Sequence, residues 1–323
     1  MTQIILTFDS LANQADVFCL SLRLIPKNEK VMVQKEATSR MLDCIFMNGR
    51  YTHAFFSTVT LLTGEQKKML IAAQMYTLRE YCKDVKGAVD SFRKVKAMGY
   101  DGVQLSGVSA PISPAEMKKI LDDEGLVPVV THKPIAQMRT NLQELIDEHH
   151  TLGCKYMAVG SAIPTPEQWS EKYWNDFADE YSALADKLVA EGILLGYHNH
   201  SQEFAKVNDS KRAIDILMGR TSTNVWFEID TYWVAHAGAN PAEYIRKAAG
   251  RLPVIHFKDM MITSERVQKM TEIGYGNLNW FDILDACRYA GVKWYAVERD
   301  SGDTEAFESL RRSIVYMRDV LGM

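Results

Sequence analysis

From Met69 onward the chain repeats one pattern eight times, a short apolar run followed by a longer amphipathic one. The apolar runs are MLIAAQMYT from Met69, GVQLSG from Gly102, LVPVVTH over 126–132, KYMAVGS over 155–161, ILLGYHNH over 193–200, NVWFEID over 224–230, PVIHFKD over 253–259 and KWYAVERD over 293–300. Short continuous apolar runs bounded by turn residues read as strands buried on both faces. The intervening stretches carry helical periodicity, as in VKGAVDSFRKVKAMG (85–99), SPAEMKKILDDEG (113–125) and YWNDFADEYSALADKLVAEG (173–192). Several end at a glycine (Gly99, Gly125, Gly192 and Gly291), a common helix stop. Ser113-Pro114 reads as an N-cap followed by proline at the first helical position. Eight strand–helix units over 69–323 predict an α/β chain closed into a (β/α)8 barrel. An open doubly wound sheet is the alternative. It uses fewer strands and often a glycine-rich turn after the first, whereas here the first strand runs into MYTLREY.

Residues 1–68 do not share the pattern. FCLSLRLIP alternates weakly and could form one strand. The segment is read either as an extension packed on the barrel or a partner, or as a leader translated from an upstream start. The leader reading is preferred, because Met69 directly precedes the first strand and Gly64-Glu65 lies just upstream. The 323 residues carry a net charge of -4 and no basic run, so nothing favours nucleic acid as a partner. The five cysteines are widely spaced, odd in number and without a C-x-x-C pair, which suits ordinary thiols in a reducing compartment. No apolar stretch reaches the roughly 18 residues of a membrane span. MTQIILTFDS lacks the basic start and apolar core of a signal peptide. The cytoplasm is the expected location.

Barrels of this type carry their active sites at the C-terminal ends of the strands. Polar residues crowd those ends here: Thr131-His132, His198-Asn199-His200, Glu228-Ile229-Asp230, His256-Phe257-Lys258-Asp259 and Glu298-Arg299-Asp300. Side chains two apart in a strand share a face, so His198 and His200, Glu228 and Asp230, His256 and Lys258, and Glu298 and Asp300 can point together. An isolated histidine or carboxylate at a strand end is ordinarily packing or a cap. Asp230, His256 and Glu298, ending three successive strands, instead predict ligands to a divalent cation. Mixed oxygen and nitrogen donors suit Mn, Co, Zn or Mg. The absence of cysteine at these ends argues against structural zinc. Glu228 is expected as a buried partner behind the ligands, and Asp300 as a cap for the loop before the last helix. Lys258-Asp259 is read as either an ion pair or a catalytic feature. Arg299 is expected on the opposite face in a salt bridge, and His149-His150 on a helix surface. Trp226, Trp233 and Trp280 could line a sugar pocket or pack the core.

The stretches GYHNHSQEF (196–204), FEIDTYWVAHAG (227–238), VIHFKDM (254–260), EIGYGNLNW (272–280) and YAVERD (295–300), with YDGVQLSGV (100–108), resemble the sugar phosphate isomerase/epimerase family of xylose isomerase-like barrels. The resemblance covers 69–323 and none of 1–68. It implies one divalent metal, Mn first and Co, Zn or Mg otherwise, held by two Glu, one Asp and one His. Asp230, His256 and Glu298 match three of these. The fourth is Glu203, reaching back from the loop, or else His198 in place of the carboxylate; Glu203 is preferred. The implied reaction removes a proton beside a carbonyl, with Glu298, Glu203, His198 and Lys258 as catalytic groups and His132, His200 and Trp233 against the substrate. Isomerisation or epimerisation of a sugar or sugar phosphate is expected. A lyase acting on keto-inositols or 3-keto-glycosides is the alternative at the same site. If Glu203 is not placed beside the metal, two-base epimerisation loses its second base. Two further alternatives are an apurinic-site DNA endonuclease, against which the acidic balance argues, and a non-catalytic sugar-binding barrel. The Gly274-Tyr275-Gly276 loop could hold phosphate or form a tight turn. A homodimer is expected by analogy with similar barrels.

Overall fold

The computed structural model describes residues 68–323 and, of the first 67, only a two-residue antiparallel pairing of Thr7–Phe8 with Leu20–Ser21. Whether residues 1–68 are an extension or a leader therefore lies outside the described residues but for Lys68.

The eight expected strands all form: β1 (Leu70–Gln74), β2 (Gly102–Gln104), β3 (Val127–His132), β4 (Tyr156–Val159), β5 (Leu194–His198), β6 (Val225–Glu228), β7 (Val254–Phe257) and β8 (Trp294–Val297). They pair in parallel in the order β6-β5-β4-β3-β2-β1-β8-β7. The two end strands meet through a parallel bridge between Asp230 and His256, where the His256 N–H donates to Ile229 O at 3.0 Å. The sheet thus closes into a TIM barrel, and its last hydrogen bonds fall among the residues singled out as metal ligands.

Each strand is followed by helix, but two connections are split. After β3, helices Ile135–Thr140 and Leu142–Leu152 are separated by Asn141, whose φ of -133° is not helical. After β6, Thr231–His236 and Pro241–Lys247 are separated around Pro241, which serves as a helix start. The Ser113 cap is a full capping box with Glu116. An antiparallel hairpin, Asp259–Ile262 with Gln268–Thr271, extends β7 beyond the barrel rim. Among the described residues no helix is long and apolar enough to cross a membrane. Cys82, Cys154 and Cys287 are buried free thiols.

Candidate metal centre and cavity

The inward-facing positions of β6, β7 and β8 carry the chemistry in steps of two residues: Glu228 and Asp230, His256 and Lys258, Glu298 and Asp300. Glu228, Asp230, His256, Lys258 and Glu298 are all buried. His198 joins them from β5, in direct register with Glu228.

His256 stands between two acidic levels. Its Nε2 lies 2.9 Å from Gln104 Oε1, an acceptor that calls for a hydrogen on this nitrogen, and 3.2 Å from Glu228 Oε1. Its Nδ1 lies 3.0 Å from Glu298 Oε2 and 3.7 Å from Asp230 Oδ2. A carboxylate behind a ligating imidazole orients the ring and fixes its tautomer. Glu228 has that position, as expected of a buried partner, and it also lies 2.5 Å from His132 Nε2. Burial alone would raise its pKa, but His256 and His132 outweigh that and hold it at about 2.

His198, Asp230, His256 and Glu298 each offer a ligand atom, all within 4.8 Å of one another. The donor set is two imidazoles and two carboxylates, which fits a divalent first-row cation or magnesium. Among the described residues, Nδ1 of His198 and Nδ1 of His256 are buried without any hydrogen bond, as is suited to nitrogens that accept a metal. A deeper set, His132, His198, Glu228 and His256, shares both imidazoles. There Glu228 is already engaged by His132; the deeper set adjoins the cavity through His132 and His198, the upper set through His198 and Glu298. Asp230 is held in place as an N-cap, its Oδ1 accepting from the Trp233 N–H at 3.0 Å, so that Oδ2 is left to face inward.

Glu203 is not brought into the cluster. Its Oε1 accepts from the Tyr197 hydroxyl at 2.8 Å and its Oε2 from the His200 N–H at 2.9 Å. Tyr197 neighbours His198 and therefore points to the opposite face of β5, among Phe177 and Tyr181 of the surrounding helix. That contact draws Glu203 behind the loop, where burial pushes its carboxyl up to about 7. Of the two readings of the fourth ligand, the geometry brings His198 to the other three.

Above the cluster opens a cavity of about 140 Å³, lined by Gln74, Tyr76, Ser106, His132, Gly160, His198, His200, Lys258, Glu298 and Asp300. Burial pushes the imidazole of His200 down to about 4 and that of His198 well below its ordinary value. Trp233 stands beside His200, ring centroids 5.3 Å apart, with its indole N–H buried and unbonded. Burial raises Glu298 less than Lys258 and His256 lower it, so its carboxylate lies well below the usual range. Burial and the neighbouring Glu298 push Asp300 the other way, up to about 6.

Several expectations are corrected. Asp300 is no cap: Glu305 caps the last helix, and Asp300 pairs with Lys258 at 2.9 Å on the cavity wall. Lys258 does not pair with Asp259. The Asp259 carboxylate accepts from the Gly274 and Gly276 N–H groups at 2.9 and 3.1 Å and from Trp280 Nε1 at 2.7 Å. This loop is therefore a turn tied down by its own carboxylate, with those amides already used. His149 is buried behind β3, its Nε2 2.8 Å from Thr131 Oγ1, and only His150 is at the surface. Arg299 is on the outer face, paired with Glu272 at 2.7 Å, as expected. Trp226 and Trp280 are core. Gln104 and Gln74 were missed, although both end strands on the same inward alternation.

The description of xylose isomerase-like TIM barrels matches residues 92–320. An inosose dehydratase of Clostridium beijerinckii is 26% identical over 263 residues, covering 69% of this chain and 86% of that protein. The crystal structure of a sugar phosphate isomerase/epimerase from Parabacteroides distasonis superposes with a TM-score of 0.66 at 21% identity, covering 82% of this chain and 99% of the other. A xylose isomerase-like TIM barrel protein of Mycobacterium smegmatis in complex with magnesium gives a TM-score of 0.61 at 18% identity, covering 79% and 97%. At these identities the solved structures speak for the fold, while the sequence match speaks for descent. The chain belongs to the family of xylose isomerase-like TIM barrels.

Proposed function

We propose that this protein is an enzyme that eliminates water from a small keto-polyol, using a divalent cation held by His198, Asp230, His256 and Glu298. The observation that carries this reading is the unequal fate of the two glutamates. Epimerisation by paired bases needs one base on each face of the reacting carbon, and Glu203 is committed to Tyr197 and His200. Elimination needs one base and one acid whose proton affinities differ, and Glu298 and Asp300 are pushed apart in that sense.

The cation, when bound, supplies positive charge that polarises the substrate carbonyl and offsets the charge left as the proton departs. Glu298 accepts the proton from the carbon beside the carbonyl. Asp300 donates a proton to the hydroxyl on the next carbon. That C–O bond breaks, water leaves, and a carbon–carbon double bond forms. Lys258, beside Asp300 at 2.9 Å, keeps that carboxylate on the cavity wall. His132 and His200 bond the substrate hydroxyls, and the free Trp233 N–H gives a further donor. An unphosphorylated substrate suits a site in which the Gly274-Tyr275-Gly276 loop spends its amides on Asp259. The likeness to an inosose dehydratase supports a cyclic ketone. Mn is the first ion to try.

Isomerisation or epimerisation is the second reading. It draws on His200, which at about 4 is neutral near pH 7 and could carry the second proton. Incubation with Mn²⁺ and an inosose in D2O separates the two. Loss of water with a new ultraviolet absorption is expected. Deuterium uptake at the carbon beside the carbonyl, with no loss of water, would replace the lyase by the isomerase. Binding without either change would leave a sugar-binding barrel.

A further inference from the structure

Lys258 is 1% exposed, yet its ammonium is ringed by three carboxylate oxygens. Glu298 Oε2 and Asp300 Oδ1 each lie at 2.9 Å and Asp230 Oδ2 at 3.2 Å. Two of these atoms, Glu298 Oε2 and Asp230 Oδ2, are also the ones that face His256 Nδ1. Lysine and cation set therefore draw on the same two oxygens. The third carboxylate, Asp300, belongs to no ligand set and lies toward the cavity. The backbone of Lys258 is pinned, its N–H donating to Thr231 Oγ1 at 3.0 Å while its carbonyl accepts from the same hydroxyl at 2.8 Å. Only the four-carbon side chain is free to swing.

We propose that Lys258 is a built-in counter-ion that contends with the divalent cation for Asp230 and Glu298, and that its ammonium retreats to Asp300 when the cation binds. The inference rests on the cation set proposed above. Asp230 and Glu298, both buried, and the half-buried Asp300 repel one another, and the ammonium relieves that repulsion. A dication brought to the same oxygens repels the ammonium in turn, more strongly here than in water because the site is buried from solvent. The same side chain thus steadies the cation-free protein and weakens its hold on the cation.

The test titrates the chelator-stripped full-length protein with MnCl2 by calorimetry, alongside Lys258→Met, which keeps the length of the side chain and removes the charge. The variant is expected to bind Mn²⁺ roughly tenfold or more tightly. It is also expected to melt lower than the wild type without Mn²⁺ and to gain more from saturating Mn²⁺. A folded variant that binds Mn²⁺ no more tightly overturns the proposal. Asp300→Asn should weaken binding in the wild-type background and have little effect in the Lys258→Met background; equal weakening in both removes the retreat to Asp300. If Lys258→Met does not fold, crystals of the wild type grown with MnCl2 decide. The ammonium is expected on Asp300 and away from the other two, and contacts kept at today's 2.9 and 3.2 Å to Glu298 and Asp230 overturn the proposal. No Mn²⁺ binding by any form would overturn the cation set and this inference together, whereas ordinary wild-type binding with an unchanged variant removes this inference alone.

Discussion

The two halves of the barrel interior are made by the same strands and could hardly differ more. Toward the N-terminal ends, Ala72, Val130, Tyr156, Ala158, Trp226, Val254 and Ala296 form an apolar plug. Two residues further on, Trp226 gives way to Glu228, Val254 to His256 and Ala296 to Glu298. The lower half is held by shape. Trp226 lies so close over Gly196 that a Cβ there would sit 2.2 Å from the ring, and Tyr156 meets Trp226 edge-on at 5.5 Å. The upper half is held by charge pairing among groups that would be costly to bury singly. One half supplies stability and the other uses it to hold a reactive cluster.

The comparison can be broken from either side. The largest effect is expected from Glu298→Gln, which should lower turnover at least roughly 1,000-fold in a protein that still folds. Retained activity would remove Glu298 from the chemistry. Trp226→Ala should do the converse, costing about 3–5 kcal/mol in denaturant unfolding with Mn²⁺ affinity unchanged. If affinity fell as well, the two halves would be energetically one.

Glu203 gives a pH signature of its own. Its folded carboxyl is raised to about 7 against an ordinary value of 4.5. Between these pH values the folded chain keeps the proton that the unfolded chain loses, so stability falls as pH rises from 4.5 to 7 and then levels off. Glu203→Gln should remove up to about 3 kcal/mol of that decline, read as the difference between the two proteins in urea melts across pH 5–8. An identical slope in both would mean that Glu203 is ionised throughout. The smallest effect is expected at Asp300, whose carboxyl is raised to about 6. As the proton donor it should make kcat fall as pH rises through that value. Asp300→Asn should lower kcat roughly 100-fold and abolish that limb of the profile.

Much of the fold was legible because a strand buried on both faces has to be written as a short apolar run, and eight such runs leave few architectures. Two-residue alternation placed Asp230, His256 and Glu298 on one face before any contact was known. The same alternation held Asp300 and Gln104, but a lone carboxylate near a helix start looks like a cap and a lone glutamine like nothing in particular. The fate of Glu203 was not legible. It depends on Tyr197, which is apolar in pattern and faces away from the site.

The sequence by itself determined the strands, their inward faces and the acidic and imidazole character of one rim. Tertiary structure decided the partners. The register of β5 on β6 sets His198 beside Glu228, and the closing bridge sets Asp230 beside His256. Lys258 is turned from its neighbour in sequence, Asp259, to carboxylates on two other strands. Adjacent residues on a strand face opposite ways, so the groups that meet in a barrel are chosen by the register between strands, which no local pattern encodes.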